Sequence, residues 1–271
     1  MPSVDTQAIV LRRVNYRDND RMLTLFSPAL GRIDAIARGC RKITSALSGA
    51  TEVYCAGDYQ FHQNRDRFTL TGCAIRESYY PLRENYDRLV YGVYLLALCE
   101  ASVQPGEEHP EMYERLLRAL ARLAYGGQEP AALTAVFLLQ FAESLGYRPR
   151  LDACAHCGIA LCGREQAEGE GAKGNGMHAR FGALAGGALC PACGAAAEEI
   201  RPETLRFLRA AQREGFDCAM DAPGAIFDEA ARKMCGYLES RVERTIKAAK
   251  LLPCLERLPQ TERKSNHGGF A

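Results

Sequence analysis

Hydrophobic positions in the first eighty residues alternate with polar ones or form short apolar runs, the patterns that are typical of β-strands. The alternation is clearest in Tyr59-Gln-Phe61 and in Phe68-Thr-Leu70-Thr, where a period of two predicts one buried and one solvated face. Five strands in so short a segment, with no helix long enough for a parallel crossover, predict a small closed or partly closed barrel. We favour an OB-fold over an SH3-like barrel. The predicted strands are Gln7–Arg12, Met22–Ser27, Gly31–Arg38, Glu52–Gln63 and Arg67–Glu77.

After Pro81 the hydrophobic period changes to about 3.6 residues, which predicts amphipathic helices. The pair Gly126-Gly127 and the single Gly146 are expected to end the second and the third of these helices. Two more helices follow a cysteine-rich segment, so this segment interrupts a helical bundle. The predicted helical stripes are Tyr86–Ala97, Met112–Leu123, Leu133–Phe141, Glu203–Arg213 and Ile226–Lys247, the last with Phe227, Met234, Leu238, Val242 and Thr245 on one side.

Four cysteines form two Cys-x-x-Cys-Gly motifs, Cys154 with Cys157 and Cys190 with Cys193. Two such motifs present four thiolates to one tetrahedral ion, and closed sites of this kind are typically structural zinc sites. We therefore predict one zinc ion that clamps the segment to the helices and performs no chemistry. The 32 residues between the motifs exceed the common spacing because residues 163–176 form a Gly/Glu/Lys-rich insertion, whose composition predicts mobility.

Other interpretations of the cysteines stay open. A redox dithiol usually lies at the start of a helix after a buried strand, a setting that the sequence around Cys154 lacks. Cys162 is an alternative ligand because it closely follows Cys157. His156 and His178 are expected to be solvated or to lie behind the ligands, since four thiolates already complete the coordination shell. The other cysteines are scattered singly through apolar segments and are expected to be free thiols in a reducing compartment.

Length and composition place the chain among folded multidomain proteins of the α+β class. Its 271 residues, 47% of them hydrophobic, are enough for two or more domains. The longest apolar stretch, near residues 92–99, is far shorter than the ~20 residues of a membrane span, so we expect a cytoplasmic protein with no membrane partner. The predicted division is a barrel at 1–80, helices at 81–150, the four-cysteine zinc module with its insertion at 151–198, helices at 199–252 and a flexible tail at 253–271.

The formal net charge is only +1, but basic residues are concentrated near the N-terminus. Between Arg12 and Lys42, eight basic residues stand against three acidic ones. Such an asymmetry points to a polyanionic partner, although a solvated surface is the commoner explanation of a basic stretch. The basic residues are Arg12, Arg13, Arg17, Arg21, Arg32, Arg38, Arg41 and Lys42.

Several of these segments resemble, in the same order along the chain, the RecO family of bacterial DNA repair proteins. The N-terminal resemblance lies in Tyr16-Arg-Asp-Asn-Asp20, Leu23-Thr-Leu-Phe26, Gly31-Arg-Ile and Ala37-Arg-Gly-Cys-Arg-Lys42. A further similarity lies in Phe181 and in Gly186-Gly187-Ala-Leu-Cys190-Pro-Ala-Cys193. The Gly-rich insertion and the extended tail from Pro259 depart from the family pattern.

The resemblance implies a nucleoid-associated recombination mediator and not an enzyme. Such a protein binds single- and double-stranded DNA, anneals complementary strands, pairs with RecR and helps to load RecA onto DNA coated with single-strand-binding protein. It also implies a groove in the helical region for the acidic tail of the single-strand-binding protein, to which the sequence assigns no residue.

Barrels of this kind hold nucleic acid strands with basic side chains at the phosphates and aromatic rings at the bases. Tyr16, Tyr59 and Phe61 are aromatic candidates, but an aromatic residue on an alternating strand more often belongs to the core. The first basic candidates match the family's signature, and the others are weaker. They are Arg38, Arg41 and Lys42, followed by Arg12, Arg13, Arg17 and Arg32.

An enzyme and a protein-binding adaptor are the competing functional classes. The sequence contains no phosphate-binding loop, no His-Glu-x-x-His motif and no nucleophile elbow. Acid pairs at Asp18/Asp20 and Glu107/Glu108 are candidates for magnesium in a nuclease, but neighbouring acids in loops are usually solvated. A zinc-stabilised adaptor without DNA binding is the main alternative, and the basic stretch argues against it.

Overall fold

The computed structural model describes residues 3–65, 67–161, 178–242 and 245–256. Internal contacts divide the chain into two compact units, Met1–Gly126 and Gly127–Ala271. Cys162, the predicted insertion at 163–176 and the tail beyond Glu256 lie outside the described residues. The finer division predicted from the sequence stays a prediction. In the described ranges, no helix is both long and apolar enough to cross a membrane.

Five strands of the first unit form a closed barrel, as the sequence predicted. They are β1 (Ser3–Tyr16), β2 (Asp20–Ser27), β3 (Gly31–Ala37), β4 (Ala56–Asn64) and β5 (Arg67–Glu77). Their order is β1-β2-β3-β5-β4, and β4 pairs with β1 to close the barrel. All pairs are antiparallel except β3 and β5, which meet in parallel at Ala35–Phe68 and Ile36–Thr69.

Alternate side chains of the strands fill the interior of the barrel, because successive residues of a strand point to opposite faces. Leu23 and Leu25 of β2 and Ile33 of β3 are almost completely buried there. The rings of Tyr59 and Phe61 stack inside the barrel with centroids 6.0 Å apart, and both side chains are fully buried. These two aromatic residues therefore belong to the core and are not available for nucleobases.

One end of the barrel is covered by residues 38–55, which connect β3 with β4. Two arginines fasten this connection to the strands: Arg13 and Arg21 both donate to Oε1 of Glu52, at 2.7 and 3.0 Å. Arg21 also donates to Thr51 Oγ1 at 2.6 Å. A carboxylate shared by two guanidinium groups is a charge-assisted contact that fixes the loop at this end.

Two helices complete the first unit, α1 (Tyr86–Ser102) and α2 (Pro110–Tyr125). The side chain of Asn85 caps α1 by accepting a hydrogen bond from the backbone amide of Arg88. Both helices pack against strands of the barrel. In this packing the ring of Tyr113 meets Phe26 of β2 edge to face, with centroids 5.5 Å apart.

The second unit combines helices with a small sheet. Its elements are α3 (Pro130–Ser144), β6 (Arg180–Gly182), β7 (Gly187–Leu189), β8 (Glu198–Glu199), α4 (Pro202–Glu214), α5 (Gly224–Val242) and α6 (Pro253–Glu256). The antiparallel sheet has the order β7-β6-β8. Helices α3, α4 and α5 pack on one another, with Phe207 and Phe227 in edge-to-face contact at 5.0 Å. The cysteine segment thus lies between helices of one bundle, as predicted.

The helix ends agree with the sequence at two positions and differ at a third. Helix α2 ends at Tyr125 with Gly126 as its C-cap, and Gly146 takes the left-handed conformation with φ of 79° just after α3. The helix expected to run from Ile226 to Lys247 instead ends at Val242. The amide of Ile246 donates to the carboxylate of Glu239, and a separate 3₁₀ helix follows at Lys247–Leu251. Thr245, expected on the apolar stripe, is exposed.

Candidate metal centre and nucleic-acid interface

The four cysteines of the two motifs converge on one point of the second unit. The Sγ atoms of Cys154, Cys157, Cys190 and Cys193 all lie within 4.8 Å of one another, and those of Cys157 and Cys190 are 3.8 Å apart. Tetrahedral zinc with Zn–S bonds of about 2.3 Å holds its sulfur ligands about 3.8 Å apart. The cluster therefore has the donors and the spacing that a metal ion requires.

Backbone hydrogen bonds shape each motif before any metal is considered. The amide of Gly158 donates to the carbonyl of Cys154, and the amide of Gly194 donates to the carbonyl of Cys190, both at 2.9 Å. Gly158 has φ of 77°, a conformation that glycine adopts at little cost. At Gly194 a Cβ atom would lie 2.9 Å from Cβ of Arg180, so the close approach of β6 requires glycine there.

The thiols of the cluster differ in exposure and in pKa. Cys154 and Cys190 are buried, whereas Cys157 is exposed. Burial raises the pKa of the Cys154 thiol, but backbone amides of Cys157, Cys190 and His156 outweigh this effect and lower it to about 6. Hydrogen bonds with the side chains of Cys190 and Cys157 raise the pKa of Cys193 to about 12. Bound cations deprotonate the thiols that coordinate them. With a metal bound, all four cysteines would therefore be thiolates, and the hydrogen bonds among their thiols would be lost.

Side chains of α4 and α5 tie the four-cysteine segment to the helices. The guanidinium of Arg209 donates twice to the carbonyl of Leu151, at 2.9 and 3.1 Å. Phe181 of β6 packs edge to face on Tyr237 of α5, with centroids 6.1 Å apart. Arg241 donates to the carbonyl of Ala183 at 3.1 Å. The segment is therefore fastened at several points along its length.

Basic side chains gather at the covered end of the barrel, in a surface we call the rim and define as residues 16–20 and 38–42. Hydrogen bonds join its two halves: the amide of Gly39 donates to the carboxylate of Asp20 at 2.8 Å, and the amide of Arg41 to the carbonyl of Asn19 at 3.0 Å. The Arg41 guanidinium also donates to the carbonyl of Asp18 at 2.9 Å. Asp20, one member of the acid pair Asp18/Asp20, thus has a structural role, because its carboxylate accepts a hydrogen bond from a backbone amide.

Four of the predicted basic residues lie on this rim, and all four are exposed: Arg17, Arg38, Arg41 and Lys42. In the described part of the chain, no carboxylate lies within ion-pair distance of any of the four. Their charge is not neutralised by the protein itself. Exposed guanidinium and ammonium groups of this kind can contact phosphate oxygens.

The other three predicted basic residues are already paired with acids. Arg12 forms an ion pair with Glu100 at 2.6 Å, Arg13 with Glu52 at 2.7 Å, and Arg32 with Asp34 at 3.4 Å. Arg12 and Arg13 lie on β1, and Arg32 is the second residue of β3, at the end of the barrel away from the rim. A phosphate would have to compete with these carboxylates.

Comparison with protein families covers almost the whole chain. Residues 1–79 match the family model described as "Recombination protein O N terminal", and residues 83–250 match "Recombination protein O C terminal". The chain belongs to the RecO family. The resemblance found in the sequence is thereby confirmed, and with it the OB-fold of the barrel.

Relatives in the RecO family carry the name "DNA repair protein RecO". The one from Moorella thermoacetica is 37% identical over 194 residues, which are 71% of this chain and 67% of the relative. The one from Anaeromyxobacter sp. strain K is 31% identical over 93% of this chain and 96% of its own length. The one from Symbiobacterium thermophilum is 28% identical over 94% and 98%. As a member of the RecO family, the chain is a DNA repair protein and not an enzyme.

The anchoring of the four-cysteine segment in this RecO family member should respond to pH through one carboxylate. Hydrogen bonding from Lys233 lowers the pKa of Glu198 on β8, and the charges of Lys233 and Arg232 act in the same direction against the effect of burial. A carboxylate whose pKa is lowered on folding stabilises the folded state above its unfolded pKa near 4.5. That contribution is lost as the pH falls through the lower, folded pKa.

Replacing Glu198 with Gln should therefore lower the melting temperature at pH 7 by ~2–4 °C, because the almost completely buried Lys233 loses its carboxylate partner, while the exposure of Glu198 limits the effect. The difference between the melting temperatures of variant and parent should shrink as the pH falls below 4.5, because Glu198 of the parent is then protonated and loses its charge. Thermal melting followed by circular dichroism at several pH values measures it. Glu214→Gln, at an exposed acid at the end of α4, is the control. A difference that stays constant with pH would contradict the ionic origin of the contact.

Proposed function

We propose that this RecO family member is a recombination mediator that binds single- and double-stranded DNA through the rim of its barrel. In this function it anneals complementary strands and helps to load RecA onto DNA coated with single-strand-binding protein, with RecR as a partner, at the chromosomal DNA of the cytoplasm. The observation that carries the proposal is the set of unneutralised cations at the rim. Contacts to phosphates alone bind strands without regard to sequence, which annealing of arbitrary strands requires.

The proposed metal is one zinc ion at the four-cysteine cluster, with a structural role. Four thiolates saturate tetrahedral zinc and leave no open position for substrate or water. The ion would supply folding free energy to the second unit. The motifs' local hydrogen bonds and the fit of the sulfur spacing support zinc at this position.

Annealing follows physically from such a rim. Two complementary strands repel each other through their phosphates, and a cationic surface that binds both lowers the repulsion and raises their local concentration. No step in this process consumes a nucleotide. The reaction should therefore be indifferent to ATP and sensitive to salt.

We expect the protein to accelerate annealing of complementary oligonucleotides equally with and without ATP. It should also anneal strands coated with the cognate single-strand-binding protein, because the acidic tail of that protein would recruit this chain. Fluorescence energy transfer between labelled strands measures the rate. Single-strand-binding protein without its acidic tail is the matched control, and the rate on coated strands should fall with it.

The outcomes separate the hypotheses. A rate on coated strands that does not depend on the tail would refute recruitment through the tail while leaving annealing itself supported. Absence of annealing on bare strands, together with absence of salt-dependent DNA binding, would refute the mediator and favour the adaptor that binds proteins only.

A further inference from the structure

An apolar strip runs along the outside of the barrel and ends at the rim. The register of β1 and β2 places Val14 opposite Met22 and Tyr16 opposite Asp20. Residues that face each other across an antiparallel pair lie on the same side of the sheet. Val14, Tyr16 and Met22 expose 47%, 40% and 38% of their surface. Tyr16 is the aromatic residue with an exposed ring among the described residues of the five strands.

A cation lies over the ring of Tyr16. The guanidinium carbon of Arg17 is 5.1 Å from the ring centroid, the geometry of a cation–π contact. Arg17 has φ of 51°, a left-handed conformation that is unfavourable for a residue with a side chain. Strained backbone that persists in a structure often marks a functional position.

The strained turn is held in place from the other half of the rim. The guanidinium of Arg41 donates to the carbonyl of Asp18 at 2.9 Å and reaches that of Arg17 at 3.4 Å. The turn that follows Tyr16 is therefore fixed against the loop that carries Arg38 and Lys42. A flat aromatic face, a planar guanidinium and two free cations occur together at one edge of the barrel.

We propose that Tyr16, with Arg17, is a stacking site for one unpaired nucleobase, and that this site makes the rim prefer single-stranded to double-stranded DNA. The inference rests on the proposed binding of DNA at the rim. Every base has a π-face that can stack on an aromatic ring, so the site is indifferent to sequence. In a duplex these faces are covered by neighbouring bases, and only the phosphates remain for the cations of the rim.

Replacing Tyr16 with Leu should weaken binding of a single-stranded oligothymidylate about tenfold, the effect of losing one stacked base. Affinity for a duplex of equal length should change less than about twofold, and the slope of affinity against salt should stay the same, because no phosphate contact is lost. Tyr16→Phe keeps the ring and should bind as the parent does. Fluorescence anisotropy at two salt concentrations measures the affinity of the parent and of both variants for each DNA. Melting curves confirm that the variants are folded.

The chain contains no tryptophan, which gives a direct optical test. In Tyr16→Trp the only indole would lie at the proposed site, and stacking of a base on it should quench its fluorescence on titration with oligothymidylate. Tyr86→Trp, at an exposed position at the start of α1, is the control and should be quenched little. Equal quenching at both positions would overturn the proposal.

Failure of this inference is distinguishable from failure of the proposed function. If Tyr16→Leu loses affinity for single strands and duplex alike, Tyr16 only supports the turn and the stacking site is refuted. If it retains affinity for both while substitutions at Arg38 and Lys42 abolish binding, the rim stands and the stacking site alone is wrong. If neither set of substitutions affects DNA binding, both proposals fall.

Discussion

Simultaneous replacement of Arg38, Arg41 and Lys42 by alanine is expected to reduce affinity for single-stranded DNA by about 10²–10³-fold at 50 mM salt. Each phosphate contact on a single strand contributes roughly 0.7 to the slope of log affinity against log salt, so three lost contacts flatten the slope by about 2. The loss should be similar for unrelated sequences, because phosphates carry no sequence information. Titration of labelled oligonucleotides at several salt concentrations measures both effects.

The ion pairs of the barrel supply a matched control with the same change in charge. Because Arg41 also braces the turn between β1 and β2, the double variant Arg38→Ala/Lys42→Ala tests charge without this loss. Its matched control is Arg12→Ala/Arg32→Ala, which removes two cations that are already neutralised by carboxylates, so the salt slope should change much less. Arg13 is kept in the control because it holds Glu52 of the connection that carries part of the rim. A salt slope that is unchanged in the triple variant, or changed equally in the two double variants, would place the DNA elsewhere.

Removal of the metal is expected to lower the melting temperature of the second unit by ~10 °C or more, since structural zinc contributes directly to folding free energy. Metal analysis should find about one zinc per chain in the protein purified under reducing conditions. Cys154→Ser or Cys193→Ser should lose both zinc and stability. DNA affinity per folded molecule should change less than about twofold, because the rim belongs to the other unit.

Cys162→Ser is the control for the metal prediction, because Cys162 is the alternative ligand that the sequence offers. It should retain zinc and stability. Full stability of the metal-free parent protein would contradict the structural role. Loss of zinc in Cys162→Ser with retention of zinc in Cys193→Ser would instead identify Cys162 as the fourth ligand in place of Cys193.

Local signals in the sequence were enough to predict the barrel and the cysteine cluster. The strand Arg67–Glu77 was predicted with the bounds that the structure shows, because the turn residues 64–66 mark its start and the alternating residues Phe68-Thr-Leu70-Thr follow. The first strand, predicted as Gln7–Arg12, continues to Tyr16. In the structure Arg12 and Arg13 both lie in this strand, which pairs with β2 as far as Tyr16 opposite Asp20, and each arginine forms an ion pair with a carboxylate.

The partners of those arginines could not be predicted from the sequence. Arg12 and Glu100 are 88 positions apart and meet only because α1 packs against the barrel. Arg13 reaches Glu52 because the connection between β3 and β4 folds over the end of the barrel. Ion pairs between residues that are distant in the sequence depend on the tertiary fold. From the sequence, the candidate DNA-binding residues could therefore be chosen only by their charge, whereas the structure shows which of these arginines form ion pairs with carboxylates. The cysteine motifs could be predicted because the two cysteines and the glycine of each motif lie within five consecutive residues.

The five ladders that close the barrel differ in length. The only parallel ladder among the five strands joins β3 to β5 through two register pairs, so opening there breaks fewer hydrogen bonds than opening any other ladder. Arg38 follows directly after β3, on the side of this seam. We expect the amides of this seam to be the first of the barrel ladders to exchange with solvent in hydrogen-exchange measurements. Local opening of the barrel would then begin beside the loop that follows β3, while the longer antiparallel ladders stay closed.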